Sequence, residues 1–592
     1  MINIKAYKDQ KFELLEEKYS STRLFIDPEF PACLHSITDT GEIDLANDDG
    51  DNILKYIEWR RPHEIVDKPH FVIDGFQRRD MGQGQLGNCW FLAAVGALTL
   101  NAELMAHVIP YDQTFDASEY TGMFHFRFWL FGEWNDVVID DRLPCYKGNF
   151  VFCRNNKDPN ELWAPLLEKA YAKVCGSYQL MAGGRMADGL VDFTGGIDES
   201  IMLSQQSPPP EIKEEIKRLL SQALARKSMV GCNIFRTEKD PNDGLLHNGL
   251  VSGHAFSITQ MKDLNTQNGV VTLIRCLNPW NDSIEWNGDW GDNSLLWDGV
   301  AEEEKRKFKF QRLHDGEFWM SYDDFFTNFH ELQICHRTPE SVGLFETASS
   351  TSLPSPENEL TWHEEMFHGK WKEGESAGGS GLERQPPEKY WTNPQYLIKL
   401  EFTDGGIKEK WRTMIIALMF KRRQLKLNDG QPVLIGFDVY RVKNGANLRK
   451  HIEGSQKYYM VHLDYVGDSG GHTVHRSVSK RFKVRPGTYI IIPNTFVCDD
   501  VGEYLLRIFT ETVEGQTLAI ELTNNKENLT ELETKRPHLE VDSKSTSTPK
   551  SSNEETNNVT EDVGGAFSGP NSRKPNTNID TNNKKGHYRT IQ

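Results

Sequence analysis

The chain has 592 residues, with 67 basic and 86 acidic side chains, so its formal net charge at pH 7 is −19. This acidity argues against a nucleic-acid partner. No run approaches the roughly 18 apolar residues of a membrane span, and the first residues form no apolar signal segment. The nine cysteines are an odd number without paired spacing. We therefore expect a cytoplasmic protein of three or four domains with no transmembrane segment.

The amino-terminal half predicts a compact segment of mixed helices and strands. The first sixty residues are polar, and an exposed acidic loop is predicted at 39–51. An apolar run at 89–100 and an amphipathic pattern at 162–174 predict helices. Aromatic and branched residues predict strands at 124–129 and 137–139.

A glycine pair, Gly195 and Gly196, predicts a hinge after this segment. Beyond it, apolar residues recur at helical spacing over 212–224. Strands are predicted at 229–235, around His254 and at 273–277.

The remaining third changes character. Residues 344–360 are rich in Ser, Thr, Pro and Glu and predict a linker. A series of short strands with a turn at 485–487 then predicts an antiparallel sandwich, with strands at 396–402, 414–420, 433–442, 458–465, 489–492 and 504–509. From about Asn524 the composition is polar with few large apolar residues, which predicts disorder.

One cysteine lies in a setting that suits a nucleophile. Residues 83–92 form a glycine-punctuated loop that places Cys89 on the first turn of the predicted helix. Helix N–H groups and the positive end of the helix dipole favour thiolate over thiol. Gly84 and Gly87 allow another backbone or a substrate to approach closely. The alternative is a buried structural cysteine before a core helix.

A cysteine nucleophile needs a histidine that folding brings near it. His254 follows a glycine and precedes an alternating run, and Asn278 ends the predicted strand at 273–277. Asn278 is placed to orient the imidazole, with Trp280 shielding that hydrogen bond. Singly, His254 also fits a structural histidine and Asn278 a turn former before proline. The order Cys, His, Asn favours a papain-like arrangement.

The stretches 83–91, 249–257 and 278–280 resemble the catalytic signatures of the calpains, calcium-dependent intracellular cysteine proteases. The resemblance extends from about residue 24 to about residue 523. Further motifs that agree with it, in the same order, lie at 58–62, 131–134, 140–144, 167–173, 192–196 and 315–319.

The resemblance implies an α+β fold: a papain-like two-lobed cysteine protease core followed by an antiparallel β-sandwich domain and a disordered C-terminal tail. The implied divisions are an N-terminal segment at 1–23, a Cys-bearing lobe at 24–194, a His- and Asn-bearing lobe at 195–338, a linker at 339–365, the sandwich at 366–523 and the tail at 524–592.

The same resemblance implies a mechanism in which Cys89, His254 and Asn278 cut peptide bonds through an acyl-enzyme. Gln83 and the Cys89 backbone N–H would bind the oxyanion. Gln85 lies nearer to Cys89 in sequence, and only the family pattern favours Gln83 over it.

Two calcium sites in the protease core are also implied by the resemblance. The first would use the carboxylates of Asp80 and Glu161 with the carbonyls of Ile73 and Gly75. The second would use Glu285, Asp292, Asp315 and Glu317 with the carbonyl of Leu313. Without the resemblance, each acid reads as a surface carboxylate. One extra residue before Glu285 departs from the family pattern. Arg78 is expected to pair with Glu317 between the lobes, or else to be a plain surface charge.

Other features depart from conventional calpains. No EF-hand loop occurs in the tail, which places the chain with atypical calpains and makes an EF-hand small subunit an unexpected partner. The sandwich's acidic loop, at 401–409, is short and charge-mixed. A basic cluster at 421–423 with Lys426 offers peripheral lipid contact or, more simply, a solvated strand end.

The sequence therefore predicts a calcium-dependent intracellular cysteine endopeptidase that makes limited cuts in protein substrates. One alternative is a catalytically weak or non-enzymatic regulatory relative. The other is a calcium-dependent transglutaminase, which also uses a Cys-Trp pair and a distant histidine but has aspartate as its third residue. Asn278 favours the protease.

Overall fold

A computed structural model describes residues 3–41, 43, 45, 51–203, 209–241, 244–266, 269–280, 284–313, 315–336, 360–381, 387–400, 411–421, 432–443 and 462–513. These lie in one compact unit, Met1–Lys526 with Ile591–Gln592. The second unit, Glu527–Thr590, the tail predicted at 524–592 and the loop at 401–409 lie outside the described residues. Within the described ranges, no helix is long and apolar enough to cross a membrane.

The first lobe surrounds an apolar helix that begins at Cys89, and every later residue of that helix is buried, as expected where no face prefers water. Its strands are β1 (Ile4–Ala6), β2 (Glu58–Arg60), β3 (Met123–Leu130), β4 (Glu133–Asp140), β5 (Leu143–Tyr146) and β6 (Asn149–Phe150). Its helices are α1 (Phe12–Glu16), α2 (Leu34–Ile37), α3 (Cys89–Leu98), α4 (Ala102–Val108), α5 (Trp163–Cys175) and α6 (Met186–Thr194). Single 3-10 turns lie at Tyr7–Asp9, Leu54–Tyr56, Pro62–Glu64, Arg78–Asp80 and Gln179–Met181.

Two three-stranded sheets, β1-β4-β3 and β2-β5-β6, flank the helices of this lobe. Strand β1 pairs in parallel with β4. Residues of the predicted N-terminal segment 1–23 thus form an edge strand of the first lobe.

The second lobe is built on a six-stranded sheet in the order β11-β10-β9-β8-β12-β7, with antiparallel neighbours throughout. Its strands are β7 (Ile197–Met202), β8 (Met229–Ile234), β9 (His254–Thr266), β10 (Gly269–Leu277), β11 (Glu317–Ser321) and β12 (Glu331–His336). Its helices are α7 (Pro210–Ala225), α8 (Glu302–Phe308), α9 (Tyr322–Asn328) and a 3-10 helix at Leu295–Gly299. Helix α7 buries Ile216, Leu220 and Ala223 in the core of this lobe.

The third region is a sandwich of two four-stranded antiparallel sheets, β13-β20-β15-β18 and β14-β19-β16-β17. Its strands are β13 (Leu360–Trp371), β14 (Tyr396–Leu400), β15 (Arg412–Phe420), β16 (Ile435–Val442), β17 (Leu463–Asp468), β18 (Ser477–Val484), β19 (Gly487–Thr495) and β20 (Gly502–Val513), with one short helix, α10 (Pro387–Tyr390). The last six residues of the predicted linker, 360–365, lie in β13.

The sandwich packs against the predicted hinge. Arg507 on β20 donates hydrogen bonds of 2.6 Å to the carbonyls of both Gly195 and Gly196. Its guanidinium also lies 4.4 Å from the centre of the Trp129 ring in the first lobe. The backbone between the two lobes is therefore fixed by a side chain of the sandwich.

Only part of the basic cluster proposed for lipid contact is described. Lys421 pairs with Glu503 at 2.5 Å and lies over the Phe131 ring. The other members, at 422–423 and 426, lie outside the described residues. Lipid contact stays a prediction.

Candidate active site

The loop that leads to Cys89 runs alongside residues 151–154. The Gly82 N–H donates to the Arg154 carbonyl at 2.7 Å, and the Arg154 N–H returns a bond of 3.1 Å. A Cβ on Gly84 would lie 2.2 Å from the Phe152 carbonyl oxygen. Glycine is required at that position because no side chain fits the close backbone approach.

The sulfur of Cys89 lies at the start of α3. Burial raises the pKa of the Cys89 thiol, while the backbone N–H groups of Ala255, Trp90 and Cys89 itself act to lower it. The sequence predicted that the helix terminus favours thiolate. In this arrangement desolvation outweighs the N–H donors, so the resting group is a thiol.

His254 is the first residue of β9, and its ring faces Asn278, which follows the last residue of β10. The two side chains are joined by a 2.8 Å hydrogen bond between His254 Nε2 and Asn278 Oδ1. The Asn278 amide nitrogen donates to the Ile284 carbonyl at 3.0 Å. That bond leaves the amide oxygen to face the imidazole, which assigns the proton to Nε2 and keeps Nδ1 available as a base.

The environment of His254 favours its neutral form. Burial lowers the pKa of His254 to about 4, and the hydrogen bond that its Nε2 donates to Asn278 opposes this only in part. The Trp280 ring lies 4.6 Å from the imidazole, centre to centre. At neutral pH the imidazole is therefore uncharged, with its single proton on Nε2, and shielded from water, and the uncharged form is the one that can accept a proton.

Gln83 reaches across the cleft between the lobes. Its Oε1 accepts a 2.7 Å bond from Trp280 Nε1, and its Nε2 donates to the Leu86 carbonyl at 2.7 Å. The structure thus places Gln83 beside the aromatic neighbour of His254.

The two lobes are docked where the nucleophile helix meets β9. Ser257 Oγ donates to the Ala93 carbonyl at 2.9 Å. Among the described residues no hydrogen bond joins the Cys89 thiol directly to the His254 ring. The N–H of Ala255, the residue next to His254, acts on the pKa of the Cys89 thiol, so Cys89 and His254 are neighbours in space.

The proposed first calcium site gathers two acids near the cleft. Glu161 Oε1 accepts from the Ile73 N–H at 2.5 Å, and Glu161 Oε2 accepts from Asn155 at 2.8 Å. Burial raises the pKa of Glu161 to about 7, with a further contribution from the Asp80 charge. Burial also raises the pKa of Asp80. Gly75 lies in the same loop with a φ of +84°.

The proposed second site is a set of acids around the start of β11. Glu285 accepts from the Gly316 N–H at 2.8 Å, and Asp292 accepts from the Leu313 N–H at 3.1 Å. Burial raises the pKa of Asp292 to about 7, and the charges of Glu285 and Asp315 add to the rise. These carboxylates repel one another, which is the electrostatic condition that a bound cation relieves.

Glu317 is held by two arginines. Arg78 of the first lobe donates to it at 2.6 Å, which confirms the predicted pairing between lobes. Arg275, on β10, contacts the other carboxylate oxygen. A cavity of about 210 Å³ is lined by Glu317 and its two arginines, and also by Asp292 and Asp315.

Within the described ranges, no group of three or more His, Cys, Asp or Glu side chains lies close enough together to hold a metal ion. The oxygen-only donors and the raised carboxyl pKa values nevertheless fit a hard cation such as Ca²⁺. Calcium ligation by these residues stays a prediction, and Glu317 fits it least well because its oxygens already face arginines.

Three contacts of the site were not predicted. Arg275 interrupts an otherwise apolar strand sequence, which was a usable signal. No local sequence signal indicated the contacts of Ser257 and Glu168, because their partners, Ala93 and Asn88, are distant in the chain.

Comparisons with known proteins agree with the geometry. The family model described as calpain family cysteine protease matches residues 25–336, and that for domain III of the calpain large subunit matches 367–509. Calpain-A of Drosophila melanogaster is 39% identical over 506 residues, which make up 84% of this chain and 57% of that protein. The calpain-1 catalytic subunit of Gallus gallus is 37% identical over 513 residues, 86% of this chain and 68% of that subunit.

The human calpain-2 catalytic subunit is 36% identical over 509 residues, 85% of this chain and 68% of that subunit. The chain thus spans less than two thirds of the Drosophila protein and just over two thirds of the two vertebrate subunits. Motif order, fold and these identities lead to one conclusion: the chain belongs to the calpain family of cysteine proteases.

Proposed function

We propose that this protein is a calcium-dependent endopeptidase of the cytoplasm that makes limited cuts in other proteins, with Cys89, His254 and Asn278 as its catalytic residues. The observation that carries this proposal is the imidazole that Asn278 holds at the start of β9, the strand that is joined to the Cys89 helix by the hydrogen bond from Ser257 to Ala93. None of the nine cysteines, all of which are among the described residues, forms a disulfide, which supports a reducing compartment.

The chemistry follows from the two neutral groups. His254 Nδ1 takes the thiol proton as the sulfur attacks the peptide carbonyl, and the imidazolium then protonates the leaving amine. Water attacks the thioester that remains, with His254 again as base. The Cys89 N–H and the Gln83 amide are the proposed donors to the oxyanion in both steps. Asn278 keeps the ring in the tautomer that this exchange needs.

Calcium would be held in the first lobe by Asp80 and Glu161 with the carbonyls of Ile73 and Gly75. In the second lobe the ligands would be the carboxylates and the carbonyl named above for the second site. Bound Ca²⁺ supplies positive charge that offsets the mutual repulsion of these acids. The Arg78–Glu317 pair then couples the loops that carry the two proposed calcium sites, since it joins the lobes directly.

The test is cleavage of casein by the purified full chain, followed by counting new amino termini with and without excess chelator. Calcium-dependent appearance of new termini, abolished in Cys89→Ala, is the expected result. Release of ammonia with crosslinking would instead show a transglutaminase. Equal cleavage in chelator would overturn the calcium dependence alone, and no cleavage under any calcium concentration would favour the non-enzymatic alternative.

A further inference from the structure

Glu168 is a buried acid with no place in the mechanism described above. It lies on α5 with 1% of its surface exposed, and no salt bridge reaches it among the described residues. Burying a carboxylate without a cation is costly. Its two oxygens accept hydrogen bonds from the Asn88 side chain at 2.7 Å and from the Cys153 N–H at 2.9 Å. Both partners lie beside the nucleophile loop.

Asn88 is the residue directly before Cys89 and forms the N-cap of α3. An N-cap asparagine normally turns its oxygen onto the N–H groups of the first helical turn. Here no such capping bond is made, because the amide nitrogen is bound by Glu168. The amide oxygen is buried and has no hydrogen-bond partner. The chain contains a direct contrast, since Asn101 caps α4 in the ordinary way by accepting from the Leu104 N–H.

Because the Asn88 side chain makes no capping bond, the backbone N–H groups at the start of α3 are available to the Cys89 sulfur. The N–H groups of Cys89 and Trp90 act to lower the pKa of the thiol, against the effect of burial. A capping oxygen at Asn88 would compete for donors of the same turn and would add a second acceptor beside the thiolate.

We propose that Glu168 and Asn88 are positioning residues for the nucleophile, with Glu168 holding the Asn88 amide off the helix terminus so that its N–H groups serve Cys89. This inference rests on the proposed role of Cys89. The second oxygen of Glu168 fixes Cys153, and the adjacent Arg154 pairs with Gly82 at the other end of the same loop. One carboxylate therefore clamps both ends of the loop that delivers the nucleophile.

The clamp should respond to pH. Burial raises the pKa of Glu168 to about 7, against the lowering effect of its two donors. The titratable groups that face it are the Cys153 thiol and the Tyr178 hydroxyl, whose own pKa values burial raises well above the ordinary range. Glu168 is thus the group that titrates near neutrality. Once protonated, it loses an acceptor and the hold on Asn88 weakens.

The experiment measures alkylation of Cys89 by iodoacetamide from pH 5.5 to 9, by mass spectrometry of its peptide, in full-length protein with excess calcium. Asn88→Ser supplies a capping hydroxyl that is too short to reach Glu168. We expect it to lower the rate at pH 7 about tenfold, since one unit of pKa is a tenfold change in thiolate. Its kcat should fall with KM little changed.

The matched control is Asn101→Ser, which exchanges one capping residue for another and should leave the alkylation profile within about twofold of wild type. If Asn88→Ser does not fold, Glu168→Gln carries the test. It keeps an acceptor for Cys153 and removes the titration, so the part of the wild-type profile that changes near pH 7 should disappear.

Unchanged profiles in the folded variants would overturn the proposal. A normal Cys89 profile in wild type without any proteolysis would count against the proposed function instead, so the two failures are distinguishable.

Discussion

The two sides of the protease core are held together in different ways. On the hinge side, named here for Gly195 and Gly196, the sandwich contributes buried arginines and an apolar cluster that joins Ile197 to Ile415, Ala417 and Phe509. On the cleft side the lobes meet through a few polar contacts, among them Gln83 with Trp280.

The hinge side has the features of a permanent interface. Arg476 on the sandwich contacts both oxygens of Asp192 at 2.9 and 3.0 Å, and Arg481 contacts Glu199 at 3.0 and 2.9 Å. The cleft side instead carries carboxyl groups with raised pKa values, such as Glu161 and Asp292. The difference indicates that the docking of the two lobes is fixed on the hinge side and adjustable on the cleft side, where Cys89 and His254 lie.

The largest expected effect tests the chemistry of the cleft side. Cys89→Ala should lower proteolysis by at least about 10⁴-fold, because removal of a nucleophile removes the covalent route. The melting temperature should hardly change, since the side chain is small and only partly buried. Calorimetry and amino-terminal counting give the two values. Persistent cleavage would mean that another residue is the nucleophile.

The next largest effect concerns Gln83, which contacts Trp280 across the cleft. Gln83→Ala should lower kcat by about 10²- to 10³-fold, the usual cost of one oxyanion donor. Gln85→Ala, two residues away, is the matched control and should retain most activity. If steady-state kinetics show a larger loss of kcat in Gln85→Ala than in Gln83→Ala, Gln85 rather than Gln83 is the oxyanion donor.

Loss of a buried arginine on the hinge side should lower the free energy of unfolding. Arg507→Met would leave Glu364 and the hinge carbonyls without their donor, and breaking such a buried pair costs about 3 kcal/mol. Urea unfolding measures this change. Lys307→Met, at an exposed helix pair, is the control and should leave the free energy of unfolding close to that of the wild type. Equal costs would show that the hinge side is no more firmly held than an exposed surface.

The smallest effect is a pH dependence of the cleft side. Carboxyl groups whose pKa is raised in the folded state stabilise the protein at low pH, and that stability is lost as pH rises through the folded pKa. For Asp292 this pKa is about 7. In chelator, the melting temperature should therefore fall between about pH 4 and 7, from the unfolded-state pKa of Asp292 to its folded-state pKa, and fall less in Asp292→Asn. Calcium should reduce the fall in wild type. Parallel curves for the two proteins would remove Asp292 from this account.

Local features were predictable from the sequence because they depend on neighbouring residues. The helix at Cys89 and the amphipathic helix at 162–174 follow from apolar spacing, and the structure has α3 and α5 there. The α+β class and the order of core and sandwich are confirmed in the same way.

Contacts between distant residues were not predictable from local pattern. Arg507 and Gly195 are 312 residues apart, and Arg476 and Asp192 are 284 apart. Strand β18 was missed because Ser477–Val484 is rich in charge, and Arg481 within it pairs with Glu199 at an interface. An amphipathic helix at 162–174 would turn its charged side chains to water. In the structure, however, Glu168, Lys169 and Lys173 of α5 are buried against fixed partners.

The central claim is that a thiol from one lobe and an imidazole from the other form one reactive pair. Its most direct measurement is covalent trapping by a peptidyl epoxide in calcium, with the adduct located by mass spectrometry. Modification of Cys89 alone, lost in His254→Ala and in chelator, is the predicted result. An adduct on another residue, or equal labelling of Cys89 in His254→Ala, would contradict the claim.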